Sequence, residues 1–460
     1  MSDSYAQVSP LRRARSLSAL FVYANIYLGC AVLRLALLQP SKNNIWTDSQ
    51  DYLRMARWPL FSIPFWAGAR PVGILLIYKL LGAIPQRIIY FQFLLALVCW
   101  GVLASAVARF IRVRWLRPVA FAVILLFSLS RDIVQWDLII LTESITSSLF
   151  ALIVGIWLFA IELYRKEGQR PQKRLMLCLL IATTALWSFT RDANAYFVLG
   201  LTGILAVGLL FKGIRSHPHI KHYIILIITL VAIFVIQGQS ANVYGRWRYP
   251  LINIIGKRIL VDDDRTAFFA AHGMPTDTKV MRYKDNYGHA HGNAILRDAD
   301  MEYFRQWMSA RGIRTYMLFL VSHPLETLTE PLERLDLLLK PPVGYYGDRA
   351  LLVFPGWVYA LSAIVYPHPL ELLLPCIGAI ALLAIILTMM HRSRPEWAVP
   401  AALLLLTYPM MLIIWHGDSL EVGRHSFLLA MQFRLAGWLL LLFLADAWLM
   451  RSDRRGADVL

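Results

Sequence analysis

Long apolar runs that carry charge mostly towards their ends dominate this chain of 460 residues. FVYANIYLGCAVLRLALL, from Phe21 to Leu38, is the first; the last begins near His425 and ends near Leu449. A helix needs about 20 predominantly apolar residues to cross a hydrocarbon core about 30 Å thick, and several runs approach or reach that length. Only 16% of residues are charged, where a soluble domain carries roughly a quarter. The expected fold is therefore an all-α polytopic membrane protein.

Ten spans are expected, near 17–38, 88–109, 118–130, 137–162, 175–189, 193–211, 223–240, 370–390, 397–415 and 425–449. The net charge of +17 does not point to nucleic acid, because no such motif is present and the basic residues flank apolar runs. That is the pattern of topology signals and anionic-lipid contacts. With the N-terminus cytoplasmic, one side collects Arg12, Arg13 and Arg15; Arg112, Arg114 and Arg117; Arg165, Lys166, Arg170, Lys173 and Arg174; Lys212, Arg215 and Lys221; Arg392 and Arg394; and Arg451, Arg454 and Arg455. The opposite turns hold single arginines, Arg131, Arg191 and Arg424, each with an acid within three residues. Both termini are expected in the cytoplasm. The first run reads as an uncleaved span, with Arg34 snorkelling to the interface. The four cysteines lie in apolar spans without ligand spacing and read as inert hydrophobes.

Three parts are expected: a membrane part at 1–240 with an outer loop at 39–87, an extracytoplasmic region at 241–369, and a membrane part at 370–460. VGILLIYKLLGAIP (72–85) and LLVFPGWVYALSAIVYP (351–367) are too short to span and read as interfacial or re-entrant helices.

Charge gathers at the outer ends of the runs, where it costs far less than at the bilayer centre. Asp48, Asp51 and Tyr52 fall on one face of a short helix, at i, i+3 and i+4. A carboxylate there can serve as general base toward a hydroxyl; Thr47-Asp48-Ser49 equally reads as a helix cap. Arg70 can meet a phosphate bidentately or snorkel at the interface. Arg131, Asp132 and Glu143 bracket one turn, and Arg191 and Asp192 another; each group either closes its own turn or joins a shared site. Glu421, Arg424 and His425 share a helix face and, with Arg434 inside the apolar run, can bind a phosphate or form a local ion pair. His289 and His291 could share a metal, though the spacing suits an ordinary polar loop.

In this order, Asp48 with SQDYL, LTES at 141–144, TRD at 190–192 and EVGRH at 421–425 resemble the GT-C class of polytopic glycosyltransferases. That class includes protein O-mannosyltransferases, aminoarabinose transferases and arabinofuranosyltransferases. The likeness covers most of the membrane part and leaves 241–369 unmatched. It implies inverting transfer of a sugar from a polyprenyl-phosphate carrier to a glycan, lipid or protein acceptor at the outer face of a bacterial plasma (inner) membrane. By the same likeness, Asp48 is the base with Asp51 beside it. Arg70, Arg191, Arg424 and His425 hold the departing phosphate, supported by Asp132, Glu143, Asp192 and Glu421. Many relatives place two acids side by side in the first loop; here they stand three apart, which leaves the choice of base and a divalent metal open. A polysaccharide polymerase or ligase fits the same charges. A lipid or solute transporter would place its site near the midplane, often with repeats, and no repeat is present.

Overall fold

The computed structural model describes residues 10–38, 45–166, 170–340, 353–392 and 394–457. The side chains of Arg12, Arg13, Arg15, Arg392, Arg451, Arg454 and Arg455, and residues 341–352 of the second outer segment, lie outside that description. The described residues form helices joined by turns, with no β-strand. Six helices are long and apolar enough to cross a bilayer: Pro85–Phe110, Glu143–Arg165, Ile220–Tyr244, Leu370–Met390, Pro395–Gly417 and Val422–Met450. The chain is an all-α polytopic membrane protein.

The expected count of ten is not reached by length and apolarity alone. Leu116–Ser128 and Arg131–Leu138 make a seventh span only if taken together across a 50° bend. Leu20–Ala36 is the apolar part of the longer helix Pro10–Ala36. Asp192–Gly208 is apolar but short; at 1.5 Å per residue, 17 residues rise only about 26 Å. Arg170–Ser188 opens with RPQKR, which dilutes its apolar length.

Pro85–Phe110 and Glu143–Arg165 form the centre of the bundle. Small residues on both, Ala96 and Ala104 on one and Ala151 and Gly155 on the other, are buried, and a Cβ at Gly155 would lie 3.1 Å from the Leu103 Cα. Close approach of backbones is how helices pack in lipid, where no hydrophobic gain remains. Ile220–Tyr244 shows Ile224, Ile228, Val231 and Val235 outward, a face suited to hydrocarbon.

Arg34 does not snorkel. Its guanidinium is 2% exposed and meets Asp137 at 2.5 Å, with Nη1 donating to the Ser128 carbonyl at 3.1 Å. Asp137 also accepts from the Ser144 hydroxyl at 2.6 Å. A lone charge here would carry a large desolvation cost, so the two stand together and tie the broken helix to the first span.

Val72–Leu80 has nine residues and is buried on most sides. It is too short to cross and packs largely within protein, as a re-entrant helix does. Gly356–Val365, with ten residues, is likewise too short. A second hydrophobic core gathers Leu251, Ile255, Phe269, Phe304, Trp307 and Phe319, separate from the bundle core. Leu338, Leu339, Val365 and Tyr366 return to the bundle core. Arg434 anchors that return: it donates to the carbonyls of Leu339 at 2.7 Å and Pro367 at 2.9 Å and lies 4.4 Å from the Tyr366 ring centroid.

Candidate functional site

Four segments far apart in sequence meet at one end of the bundle. The first is the helix Thr47–Ala56. Ser49 closes its start, its Oγ accepting from the Trp46 N–H at 3.1 Å, so Asp48 is not the cap. Lys79 donates to the carbonyls of Ala56 at 3.3 Å and Trp58 at 2.6 Å, satisfying groups the helix end leaves open. Asp48 and Asp51 share a face, and both meet Arg70, at 2.6 and 3.5 Å. Arg70 also lies 4.9 Å from the centroid of the buried Tyr52 ring. Arg54 pairs with Asp51 at 2.6 Å on the exposed side.

The second segment is the turn between Arg170–Ser188 and Asp192–Gly208. Arg191 is extended, with φ −157°, and separates the two helices. Thr190 Oγ1 lies 3.1 Å from Thr146 Oγ1, and the Trp187 indole donates to the Thr146 carbonyl at 3.0 Å. The Gly73 N–H donates to the Phe189 carbonyl at 2.8 Å. A Cβ at Gly73 would lie 2.6 Å from that oxygen, so only glycine lets the loop helix dock against this turn.

The third segment is Glu143, which opens its span and is 1% exposed. A carboxylate suits a helix N-terminus, where the backbone dipole is positive. The fourth is Glu421–His425. Glu421 adopts a left-handed conformation, φ 54°, uncommon for a residue with a side chain.

Arg424 joins these segments. Its guanidinium meets Asp48 at 3.1 Å, Glu421 at 2.8 Å and Glu143 at 3.6 Å. Arg191 reaches Glu143 at 3.5 Å and donates to His425 Nδ1 at 2.9 Å. Arginine can only donate, so Nδ1 accepts, which makes this imidazole neutral with its proton on Nε2. Arg54, Arg70, Arg191 and Arg424 thus face Asp48, Asp51, Glu143 and Glu421. The cluster is neutral when Glu421 is ionised and carries one positive charge when Glu421 is protonated.

The two acids closest to Arg424 are tuned in opposite directions. Burial pushes the Asp48 carboxyl up, but Arg70 and Arg424 outweigh it and hold the group below its ordinary range. At Glu421 burial dominates; Arg424 and Arg191 oppose it, Asp48 and Glu143 add to it, and the carboxyl is pushed up to about 7.

Eight of the expected residues converge: Asp48, Asp51, Arg70, Glu143, Arg191, Glu421, Arg424 and His425. Two do not. Asp132 faces His368 at 3.2 Å, while its neighbour Arg131 lies over Tyr359. Asp192 turns from Arg191 to Arg246 at 2.9 Å and Gln237 at 2.7 Å. Both anchor neighbouring chain to the bundle, Arg246 also donating to the Gly68 carbonyl at 3.0 Å. Arg434 stands outside the cluster as well. Arg246 was not anticipated; its position just past an apolar run was its one signal. His289 and His291 gain no ligand partners: among the described residues no group of three or more His, Cys, Asp or Glu is arranged to hold a metal. Cys30 and Cys99 are buried, Cys178 and Cys376 exposed, and all four are free.

No protein-family model matches the chain, and no curated protein matches it by sequence. Among solved structures it is similar to the archaeal oligosaccharyltransferase AglB from Archaeoglobus fulgidus, with a TM-score of 0.50 and 10% sequence identity. The match covers 95% of this chain and 52% of that one, so the chain spans about half the length of its structural relative. At this identity the likeness shows the fold alone.

Proposed function

We propose that the protein is an inverting glycosyltransferase that moves a sugar from a polyprenyl-phosphate carrier to an acceptor hydroxyl. The observation that carries this reading is Arg424 bridging Asp48, Glu143 and Glu421, because it joins three of the resembling motifs and Arg191, through Glu143 and His425, adds the fourth. The fold likeness supports it. The archaeal relative was solved with a dolichol-phosphate and an inhibitory peptide, a lipid phosphate and an acceptor-like ligand together. The sugar and its subfamily follow from neither.

In this mechanism the isoprenoid tail stays in lipid while its phosphate meets Arg191 and Arg424 at the end of the bundle. The acceptor oxygen attacks the anomeric carbon from the face opposite the phosphate. The carbon–oxygen bond to phosphate breaks, its electron pair leaves with the phosphate, and the configuration inverts. Asp48 takes the acceptor proton. Its lowered basicity suits a late transfer, since the hydroxyl proton becomes acidic only as the new bond forms. Fixed guanidinium donors stabilise the charge that gathers on the leaving phosphate, and His425 Nε2–H is a further donor. Residues 241–369 select the acceptor.

Glu421 sets the charge that the donor meets. The donor phosphate carries one negative charge, and the cluster balances it only when Glu421 is protonated. With that carboxyl near 7, donor KM is expected to rise about tenfold between pH 6 and pH 8, following the protonated fraction. In Glu421→Gln it should stay flat. Folded Glu421 holds its proton above its ordinary value of 4.5. That contribution to stability is therefore full below pH 4.5 and lost as pH rises through about 7. The melting temperature of Glu421→Gln should accordingly gain on the wild type as pH rises from 5 to 8. Steady-state kinetics with a purified polyprenyl-phosphate sugar, and thermal melts in detergent, check both. A pH-dependent donor KM in the glutamine variant would sink this role.

The proposed active face is extracytoplasmic. With Cys178 and Cys376 replaced, Asp300→Cys, whose side chain is 71% exposed, should react in intact cells with a membrane-impermeant maleimide. Labelling only after lysis would put the site on the other side.

A further inference from the structure

Beside the charge cluster lies a cavity of about 400 Å³, within the range of small-ligand sites. Ser419 and Val422, from the loop that carries Glu421, form one wall. Lys257, Arg258, Asp262, Arg265 and Tyr287 of the region with the second core form another, and Glu330, Arg334 and Trp415 complete the lining. Four cations face two carboxylates.

The acids do not neutralise the cations evenly. Arg265 is paired with Glu326 and Glu330, and Lys257 with Asp285 at 2.8 Å. Arg258 meets only uncharged partners among the described residues: the carbonyls of Trp415 and of Asp418, and the Trp415 ring, 3.7 Å from its centroid. The Arg334 guanidinium has no hydrogen-bond or ion-pair partner among the described residues, and it is exposed. The Ser419 hydroxyl is buried without a hydrogen-bond partner. Arg258, which contacts no carboxylate directly although Glu330 and Asp418 act on it at longer range, and the unpaired Arg334 join an unused hydroxyl around one space, a set that suits an anion.

We infer that this cavity receives an anionic group, a phosphomonoester or a carboxylate, carried by the acceptor, so that the acceptor is an acidic saccharide. The inference rests on the proposed transfer reaction. Most of the wall comes from chain outside the long apolar helices, with only Trp415 and Val422 contributed by the ends of two spans, and its charged lining suits a polar acceptor better than an isoprenoid tail, so the occupant is the acceptor and not the donor. Ser419 is five residues from Arg424, which puts the cavity within about 18 Å of the cluster even for extended chain. An acceptor of a few sugar units can hold its charge here and present a hydroxyl to Asp48.

The test is a binding titration on the full-length protein in zwitterionic nanodiscs, followed by tryptophan fluorescence. Glucose 6-phosphate should bind saturably where glucose does not. Arg334→Gln and Arg258→Gln should each weaken it about tenfold or more, the loss of one hydrogen bond to a charged group. Arg334 is exposed, so its variant remains informative if Arg258→Gln does not fold. Asp48→Asn should bind glucose 6-phosphate like the wild type, which separates this subsite from the transfer chemistry. Equal binding of the neutral sugar, or wild-type binding by a folded Arg334→Gln, would overturn the inference. So would displacement of glucose 6-phosphate by anionic lipid added to the nanodiscs, since the occupant would then be a bilayer headgroup.

Discussion

Asp48→Asn is expected to lower sugar transfer by at least about two orders of magnitude while expression and membrane insertion stay intact. General-base assistance contributes about 10²- to 10⁴-fold, and the amide cannot take the acceptor's proton. The substitution keeps the shape of the side chain and one oxygen that can accept from Arg70 or Arg424, which now bind Asp48 at 2.6 and 3.1 Å. The two arginines lose a counter-charge, so donor KM should fall or hold while kcat collapses. That split distinguishes a chemical role from a positional one, which would raise KM instead. The parallel change Asp51→Asn should cost far less, because Asp51 is more exposed and stands 3.5 Å from Arg70. Full activity in Asp48→Asn, or an equal loss in Asp51→Asn, would remove Asp48 as the base.

Arg424→Lys is expected to lose about two to three orders of magnitude in kcat although the formal charge is unchanged. Removing one fixed donor to a developing oxyanion has about that effect. A planar guanidinium can address three carboxylates at once, and an ammonium point charge cannot hold that geometry. Arg424→Ala goes further. It leaves Glu143, which is 1% exposed, with Arg191 as its remaining guanidinium partner beside Asp48 and Glu421. Breaking a buried ion pair on one side costs about 3–5 kcal/mol, so this variant should melt well below the lysine variant. A transfer assay beside thermal melts in detergent reads both effects; a lysine variant with wild-type kcat would show that Arg424 only ties the segments together.

The helical membrane architecture was legible in the apolar runs, because a bilayer imposes a length that composition reveals directly. The expected span 118–130 ends where the 50° bend lies, but the next span, expected from 137, starts at Glu143, because Arg131–Leu138 forms a separate bent piece whose Asp137 is held by Arg34 of another helix. An arginine and an aspartate inside two apolar runs were the available signal of that buried pair. The face shared by Asp48 and Asp51 followed from helical spacing alone. The competing cap could not be settled locally, because Ser49 and Asp48 are both competent. That Asp48 joins the charge cluster while Ser49 caps the helix depends on Arg70 and Arg424, and Arg424 lies 376 residues away.

The same distinction governs the supporting residues. Asp132 and Asp192 each follow an arginine directly at the end of an apolar run, a stronger local signature than that of Glu143, whose nearest arginine in sequence is Arg131. Neither spacing nor composition says which way such a side chain faces, since a helix end offers every direction to its first turn. Packing decides it, by bringing His368 to Asp132 and Arg246 to Asp192 while Glu143 meets Arg191 and Arg424. The chain itself determined that this protein crosses a membrane and keeps most of its acids and arginines towards the ends of its helices, because lipid excludes unpaired charge from their middles. Only the tertiary structure decided which of those charges form one site, because an ion pair depends on distance in space and the partners lie up to several hundred residues apart.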